Sequence, residues 1–127
     1  MSSSLTKYNG GIANIIDKGG LSLPFETNIY LQTVLVAGIN YYIKEGFSLL
    51  EGEKLILKRE SDNKYDDYAI VVCTEKNEKI GYIAKRNNKV FARLMDAGKI
   101  LYAEVRTINY YFEKIDEIWI RIYLKDI

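Results

Sequence analysis

The sequence predicts a mainly β fold with flanking helices, an α+β arrangement built on a small, closed or partly closed barrel. At least six short segments carry the alternating or aliphatic patterns of strands, short polar turns separate them, and one helix-forming stretch lies among them. The chain has 127 residues, of which 48% are hydrophobic, with a single proline. These totals fit one ordered domain with a core of its own.

The first 26 residues differ from the rest in pattern. Leu5, Tyr8, Ile12, Ile15 and Ile16 recur at helical spacing, and residues 21–26 suggest an extended segment. We therefore expect residues 1–26 to form a helix and an extended lead-in that pack on a barrel domain of residues 27–127.

From Thr27 onward the period changes to that of strands. Residues 29–36 predict a strand buried on both faces that continues through Gly38 into Tyr41 and Tyr42. Glycine inside a strand indicates a bulge, or a point where another backbone or a ligand comes close. Further strands are predicted at residues 54–59, 69–74, 79–84 and 101–108. In a last strand, Ile118, Ile120, Ile122 and Leu124 alternate with larger polar or aromatic residues.

One internal helix is predicted over residues 88–97. Its apolar arc contains Val90, Phe91, Leu94, Met95 and Ala97, and Gly98 supplies the C-terminal stop.

Composition excludes several classes of function. The chain has no histidine and a single cysteine, Cys73, which lies in an apolar run and is expected to be buried. Histidine-based zinc sites, the Ser-His-Asp triad and a disulfide framework are therefore absent. We expect no metal, no cofactor and no catalytic residue. Without a signal-like start or an apolar run of membrane-spanning length, a soluble, cytoplasmic protein that does not enter membranes is expected.

Tyrosines form the first candidate binding surface. Seven of them belong to it: Tyr41, Tyr42, Tyr65, Tyr68, Tyr82, Tyr110 and Tyr111. A tyrosine commonly buries its ring and points its hydroxyl at water, so any one of them has a structural explanation. In the adjacent pair Tyr41-Tyr42, however, strand alternation would turn one ring outward. An outward ring beside the Gly38 backbone would suit the stacking of a nucleic-acid base.

The predicted helix carries the second candidate surface. Lys85, Arg86, Lys89 and Arg93 cluster opposite its apolar arc. A solvated helix face explains such a cluster equally well. A phosphate-binding patch is the alternative, because Lys85 and Arg86 lie where the helix begins and its backbone N–H groups point outward.

A polar segment between two predicted strands is the third candidate. It contains the carboxylates of Glu60, Asp62, Asp66 and Asp67. Such acids could hold magnesium or transfer protons, but Asp residues also satisfy turn backbone and can pair with nearby cations.

Three segments follow one another in a specific pattern. Residues 36–42 include Gly38 and Tyr41-Tyr42, residues 57–72 contain Arg59-Glu60, a gap, Asn63-x-Tyr65-Asp66-x-x-Ala69-Ile70, and residues 80–83 read Ile-Gly-Tyr-Ile. In this order and spacing the chain resembles the HIRAN domain family, over roughly residues 31–105.

The resemblance implies a modified, OB-like six-stranded β-barrel that binds single-stranded DNA, especially a free 3′ end. It further implies that Tyr41 and Tyr65 flank bases, that Asp66 meets the terminal sugar with Asn63 shaping the pocket, and that Lys85 contacts phosphate. The full set of predicted nucleic-acid-binding residues is Gly38, Asn40, Tyr41, Asn63, Tyr65, Asp66, Tyr82, Lys85, Arg86 and Lys89. The chain departs from the family pattern at Asn40, where a basic residue is common, and at Lys64, where proline is usual.

The interpretation favoured by these residues is a non-enzymatic nucleic-acid-binding module, with a setting in DNA repair and a helicase or nuclease as partner protein. An adaptor for protein–protein interaction is the alternative. A metal-dependent nuclease using Asp62, Asp66 and Asp67 ranks third.

Overall fold

The structure is a computed structural model that describes residues 27–126. The predicted N-terminal helix and lead-in, residues 1–26, lie outside the described residues. Within them, no helix is both long enough and apolar enough to cross a membrane.

Six antiparallel strands close into a barrel. They are β1 (Thr27–Ala37), β2 (Lys54–Arg59), β3 (Ile70–Thr74), β4 (Lys79–Ile83), β5 (Ile100–Tyr111) and β6 (Lys114–Asp126), in the order β1-β4-β3-β2-β5-β6. Pairing of β6 with β1 completes the circle. The two helices are α1 (Ile39–Tyr42) and α2 (Lys85–Asp96). The predicted mainly β barrel with six strands is confirmed.

The core fills the inside of the barrel with aliphatic side chains from every strand. Ile118, Ile120 and Ile122 of β6 are fully buried, as their alternation predicted. All five residues of β3 are buried, which is typical of a strand covered on both faces. Cys73 belongs to this strand and is buried, as expected.

Gly81 is the point at which two strands approach most closely. A Cβ atom added there would lie 2.4 Å from the carbonyl oxygen of Ala37 and 2.7 Å from a methyl group of Val36. Those two residues belong to β1, which pairs with β4 at Val36↔Ile83 and Ala37↔Tyr82. Glycine at position 81 is therefore needed for the barrel to close between β1 and β4.

The first strand is shorter than predicted and differently buried. It ends at Ala37, and residues 39–42 form the one-turn helix α1 instead of continuing the strand. Gly38 takes a left-handed backbone conformation with φ of +81°, and its carbonyl accepts the first helical hydrogen bond, from the N–H of Tyr41. The predicted bulge at Gly38 is wrong, since the irregularity in β1 falls between Tyr30 and Gln32. The strand is also not buried on both faces, because its first half is exposed on one side.

Helix α2 begins three residues earlier than predicted, and its buried arc is rotated. Val90 is 66% exposed, so its predicted packing on the barrel is wrong. Asn88 is buried in its place, together with Phe91 and Ala92. Positions 88, 91, 92 and 95 follow the i, i+3, i+4, i+7 rule, which leaves Val90 on the solvent side. The helix ends as predicted at Gly98, where φ is +94°.

Strands β5 and β6 extend beyond the predicted segments into a long hairpin. Its two-residue turn consists of Phe112 and Glu113, both with positive φ. The hairpin carries Tyr110, Tyr111 and Phe112 into solvent.

Helix α2 should depend on Phe91 for its attachment to the barrel. The ring is buried in the main core, so Phe91→Ala should lower the free energy of unfolding by about 3–5 kcal/mol. Val90→Ala on the exposed side of the same helix is the matched control and should change it by well under about 1 kcal/mol. Urea unfolding of the three proteins measures both values. Equal effects of the two substitutions would contradict the packing of α2 described above.

Candidate functional site

Three segments meet around the outer face of β4. Helix α1 directly follows the end of β1, which pairs with β4. The loop of residues 60–69, here called the β2–β3 loop, connects the two strands on the other side of β4. Helix α2 starts where β4 ends, and the N–H of Ala84 donates to the carbonyl of Leu35 across the same seam. The sheet therefore brings all three segments to one side of the barrel.

Helix α1 separates the two adjacent tyrosines. Tyr41 is 88% exposed, whereas Tyr42 is half-buried against Tyr82, with ring centroids 6.0 Å apart. The outward ring predicted for this pair is present, but helical geometry and not strand alternation turns it outward. Tyr41 also lies close to Tyr42, at 6.4 Å between centroids.

A hydrogen-bonded set of side chains, called here the Glu60 network, connects α1 to the β2–β3 loop. The Tyr82 hydroxyl donates to Glu60 Oε1 at 2.6 Å and accepts from Lys79 Nζ at 2.9 Å. The ammonium group of Lys79 lies over the ring of Tyr42 at 4.4 Å and over that of Tyr82 at 4.5 Å. Cation–π attraction and two short hydrogen bonds thus fix Tyr42 and Tyr82 relative to Glu60.

Charge in the Glu60 network is distributed as these contacts require. The hydrogen bonds from Tyr82 and then from Asn63 lower the pKa of Glu60. Burial, followed by the hydrogen bond to Glu60, raises the pKa of Tyr82. Burial by itself would lower the pKa of Lys79, but its interactions with Tyr82 and Tyr42 outweigh burial and raise it. At neutral pH the network is an ion pair bridged by a neutral phenol.

The backbone of the β2–β3 loop is held by Asn63. Its Oδ1 accepts from the N–H groups of Tyr65 at 2.8 Å and Asp66 at 3.0 Å, and its Nδ2 donates to Glu60 Oε1 at 2.8 Å. Such Asx contacts fix loop conformation without help from a regular ladder. Tyr65 is 88% exposed even though its backbone is held in this way.

Asp66 joins the loop to α2. Its Oδ1 accepts from the N–H of Tyr68 at 2.9 Å, and its Oδ2 accepts from Asn88 Nδ2 at 2.8 Å. Asn88 is 1% exposed, so the carboxylate satisfies a buried amide that would otherwise be costly. Asp66 therefore has a structural role, while a carboxylate with about four acceptor sites retains capacity for a further donor.

Arg59 holds the base of the same loop. Its guanidinium donates to both carboxylate oxygens of Asp96, at 3.0 and 3.2 Å, and to the carbonyls of Ala69 and Asp67 at 3.0 and 2.7 Å. This fork ties β2, the loop and the last turn of α2 together.

The predicted cations lie on the first turns of α2, on its exposed side. Lys85 Nζ lies 3.4 Å from the carbonyl oxygen of Tyr65, and Lys89 Nζ lies 5.5 Å from the ring centroid of Tyr68. Arg86 is exposed and makes no side-chain contact within residues 27–126. The first turn of α2 has no acidic residue and no side-chain cap, so its N–H groups add to the positive character of these cations.

The structure connects most predicted site residues through continuous contacts. The connection runs from Tyr41 through Tyr42, Tyr82, Glu60 and Asn63 to Tyr65, Asp66 and Lys85. Gly38 and the exposed Asn40 belong to the α1 end, and Arg86 and Lys89 to the α2 end.

Sequence reasoning missed the residues that hold the site together. Glu60 was considered only as one of several acids, while Lys79 and Asn88 were not considered for the site. Tyr82 is 22 residues from Glu60, and so is Asn88 from Asp66. The Arg59-Glu60 pair in the family-like pattern was the signal that could have pointed to the network.

Acidic side chains do not gather into a metal site in the described part of the chain. Among residues 27–126, no group of three His, Cys, Asp or Glu residues is placed to hold a metal ion.

The fold and the site define a class of protein, the small OB-like β-barrel that serves as a binding module. The chain belongs to the HIRAN domain family, whose model matches residues 29–125. HIRAN domains are known as nucleic-acid-binding modules.

Two crystal structures are similar to this chain. A protein from Lactobacillus plantarum has 31% sequence identity and a TM-score of 0.71, with 81% of this chain and all of that chain (100%) covered. The HIRAN domain of human HLTF has a TM-score of 0.63 at 19% identity, with 78% of this chain and 79% of that chain covered, which shows a common fold. No curated protein is significantly similar to the chain in sequence.

Stability should depend on pH through Glu60. Because its pKa in the folded protein is lowered, its contribution to stability is present above the ordinary value of 4.5 and is lost as the pH falls through the lowered value. Glu60→Gln should therefore be less stable than the wild type at neutral pH, and the difference should shrink in acid. Urea unfolding over a pH series measures this.

Glu75→Gln, at an exposed turn residue without a side-chain contact within residues 27–126, is the matched control for that series. It should leave the pH dependence of the wild type almost unchanged. If the gap between wild type and Glu60→Gln stayed constant into acid, the charged hydrogen bonds of Glu60 would not be its source.

Proposed function

We propose that the chain is a non-enzymatic module that binds single-stranded DNA and prefers a free 3′ hydroxyl end. The observation that carries this proposal is the exposure of Tyr41 and Tyr65, each 88%, on segments that hydrogen bonds hold in place. Exposed rings on a fixed backbone are suited to stack on bases, because little conformational freedom is lost on binding. Membership of the HIRAN family supports nucleic acid as the ligand.

Positive charge near the two rings supports binding of a phosphate backbone. Lys85 contacts the backbone of Tyr65, so an ammonium group lies beside a base-stacking ring. Arg86 and Lys89 continue the same face of α2. The chain as a whole has a net charge of only +1, so attraction would come from this local group and not from bulk charge.

Asp66 supports the preference for an end. A carboxylate accepts a hydrogen bond from a free hydroxyl but repels a terminal phosphate. Asn63 and Asn88 hold Asp66 from two sides, through the loop backbone and through its own carboxylate. A terminal 3′ hydroxyl would therefore find an acceptor whose position is already set.

Protein–protein interaction is a second candidate function. It is favoured by the tip of the β5–β6 hairpin, where Phe112 is 82% exposed and packs edge-on against Tyr111 at 4.5 Å between centroids. Exposed aromatic rings at a hairpin tip suit a protein partner as well as a base. DNA repair, a helicase or nuclease partner and a cytoplasmic location stay predictions.

Salt dependence tests the phosphate contacts. Replacing Lys85, Arg86 or Lys89 by alanine should weaken binding equally for all oligonucleotide sequences and should flatten the salt dependence by about 0.7 log units per lost contact. Lys99→Ala, at an exposed lysine beyond the other end of α2, is the charge-matched control. Fluorescence anisotropy at several salt concentrations measures the slopes. An unchanged slope in the triple variant would return these cations to a solvated helix face.

End preference tests Asp66. A strand with a 3′ hydroxyl should bind the wild type well, and the same strand with a 3′ phosphate should bind much less tightly. Asp66→Ala should weaken the first and narrow the gap between them, but it also exposes Asn88 to loss of its partner. Asp66→Asn keeps the shape while removing the charge, so it should narrow the gap at a smaller cost in stability. Equal affinity of the wild type for the two strands, measured by anisotropy, rules this mechanism out.

A further inference from the structure

A cleft of about 520 Å³ lies beside α1, on the side of Tyr41 and Tyr42. It runs between the segment that follows α1 and the start of β4, and Phe47 contributes a third aromatic side chain to its lining. Its volume lies within the range of about 300–1,000 Å³ that is usual for sites that bind small organic groups. None of the site residues predicted from the sequence, apart from Tyr41, lines this cleft.

Charge in the cleft is balanced. Lys44 and Lys79 supply two positive charges, and Glu45 and Glu78 supply two negative ones. Lys79 is already engaged by two rings and the Tyr82 hydroxyl. A phosphate would therefore meet no net attraction, whereas a neutral planar group with polar edges would find both rings and hydrogen-bonding partners.

The cleft is continuous with the site described above. Tyr41 belongs to both, and Lys79 links the cleft to the Glu60 network through Tyr82. A strand held at the β2–β3 loop and stacked on Tyr41 would reach the cleft with its next nucleotides. This continuity favours a nucleobase over an aromatic side chain of a protein partner.

We propose that the cleft is a further base subsite, which takes the unstacked base of a nucleotide upstream of the strand end. The proposal rests on the proposed function, because the strand must first be held at Tyr41 and Tyr65. Phe47 and Tyr42 contact the faces of the base, while Lys44 and Glu45 at the rim meet its edge. Those two side chains are exposed and without partners within residues 27–126, so binding a base breaks none of their described contacts.

Carboxylates at the edge give the subsite a base preference. Glu45 and Glu78 can accept hydrogen bonds from the exocyclic amino groups of cytosine, adenine or guanine, as carboxylates do with the amino group of cytosine in duplex recognition. Thymine has no such group. The subsite should therefore disfavour thymine.

Abasic scanning tests the subsite directly. Short oligonucleotides with a 3′ hydroxyl, each lacking one base at a successive position from that end, are titrated against the wild type. Loss of a base at the end, over Tyr41 and Tyr65, should weaken binding by about 5- to 150-fold, the range for stacked bases. Loss at one further upstream position should also weaken it at least severalfold. Phe47→Ala should abolish that upstream penalty and keep the penalties at the end.

Because Phe47 also packs against the core, the double variant Lys44→Ala/Glu45→Ala serves as a second test that does not disturb packing. It should reduce the upstream penalty and remove the preference against thymine. An upstream penalty that is absent in the wild type, or unchanged in both variants, overturns the subsite. Loss of all binding to 3′-hydroxyl strands in the wild type instead overturns the proposed function.

Discussion

One oxygen atom, Oε1 of Glu60, holds the candidate site together. It accepts from the Tyr82 hydroxyl on β4 and from the Asn63 amide in the β2–β3 loop. Through Tyr82 it is connected to Lys79 and hence to α1, and through Asn63 it sets the backbone of Tyr65 and Asp66. Two segments that are distant along the chain thus take their relative position from a single charged acceptor. The exposed rings owe their fixed placement to it.

The barrel makes this connection possible because its strands place the partners on one face. Tyr82 pairs with Ala37 on one side and Val71 on the other, so its side chain projects outward beside the end of β1. The missing side chain at Gly81 lets β1 come close enough for α1 to follow at that point. On the opposite side of the loop, Arg59 and Asp96 fix α2. Packing of the core and geometry of the site are therefore one problem for this chain.

Local pattern was sufficient for the barrel and insufficient for the details of the site. The alternation of Ile118, Ile120 and Ile122 predicts β6 because each residue reports its own burial. Helix α1 is different, since aromatic residues favour strands and its single turn depends on Gly38 and on the packing of Tyr42 against Lys79.

Partner-dependent burial explains the other differences. Asn88 is polar, and nothing in its neighbourhood along the chain indicates that Asp66 will satisfy it in the core. Val90 is apolar yet exposed, because the arc that contains Asn88 leaves it outside. Residues whose role is defined by a distant partner cannot be assigned from periodicity. By contrast, the Asn63-x-Tyr65-Asp66 spacing identified the loop, since Asx hydrogen bonds act within a few residues.

The short pairing between β1 and β4 has a consequence for motion. These strands are joined at Val36↔Ile83 and Ala37↔Tyr82, whereas β1 and β6 are paired from Thr27 to Leu35. Local opening in proteins begins where few hydrogen bonds must break, so this seam is where amide hydrogen exchange should be fastest among the strand pairs. Tyr41 follows one side of the seam and Lys85 the other. A strand of nucleic acid that contacts both would act as a clasp across it, so occupancy of the site would be recorded as slower exchange at the seam.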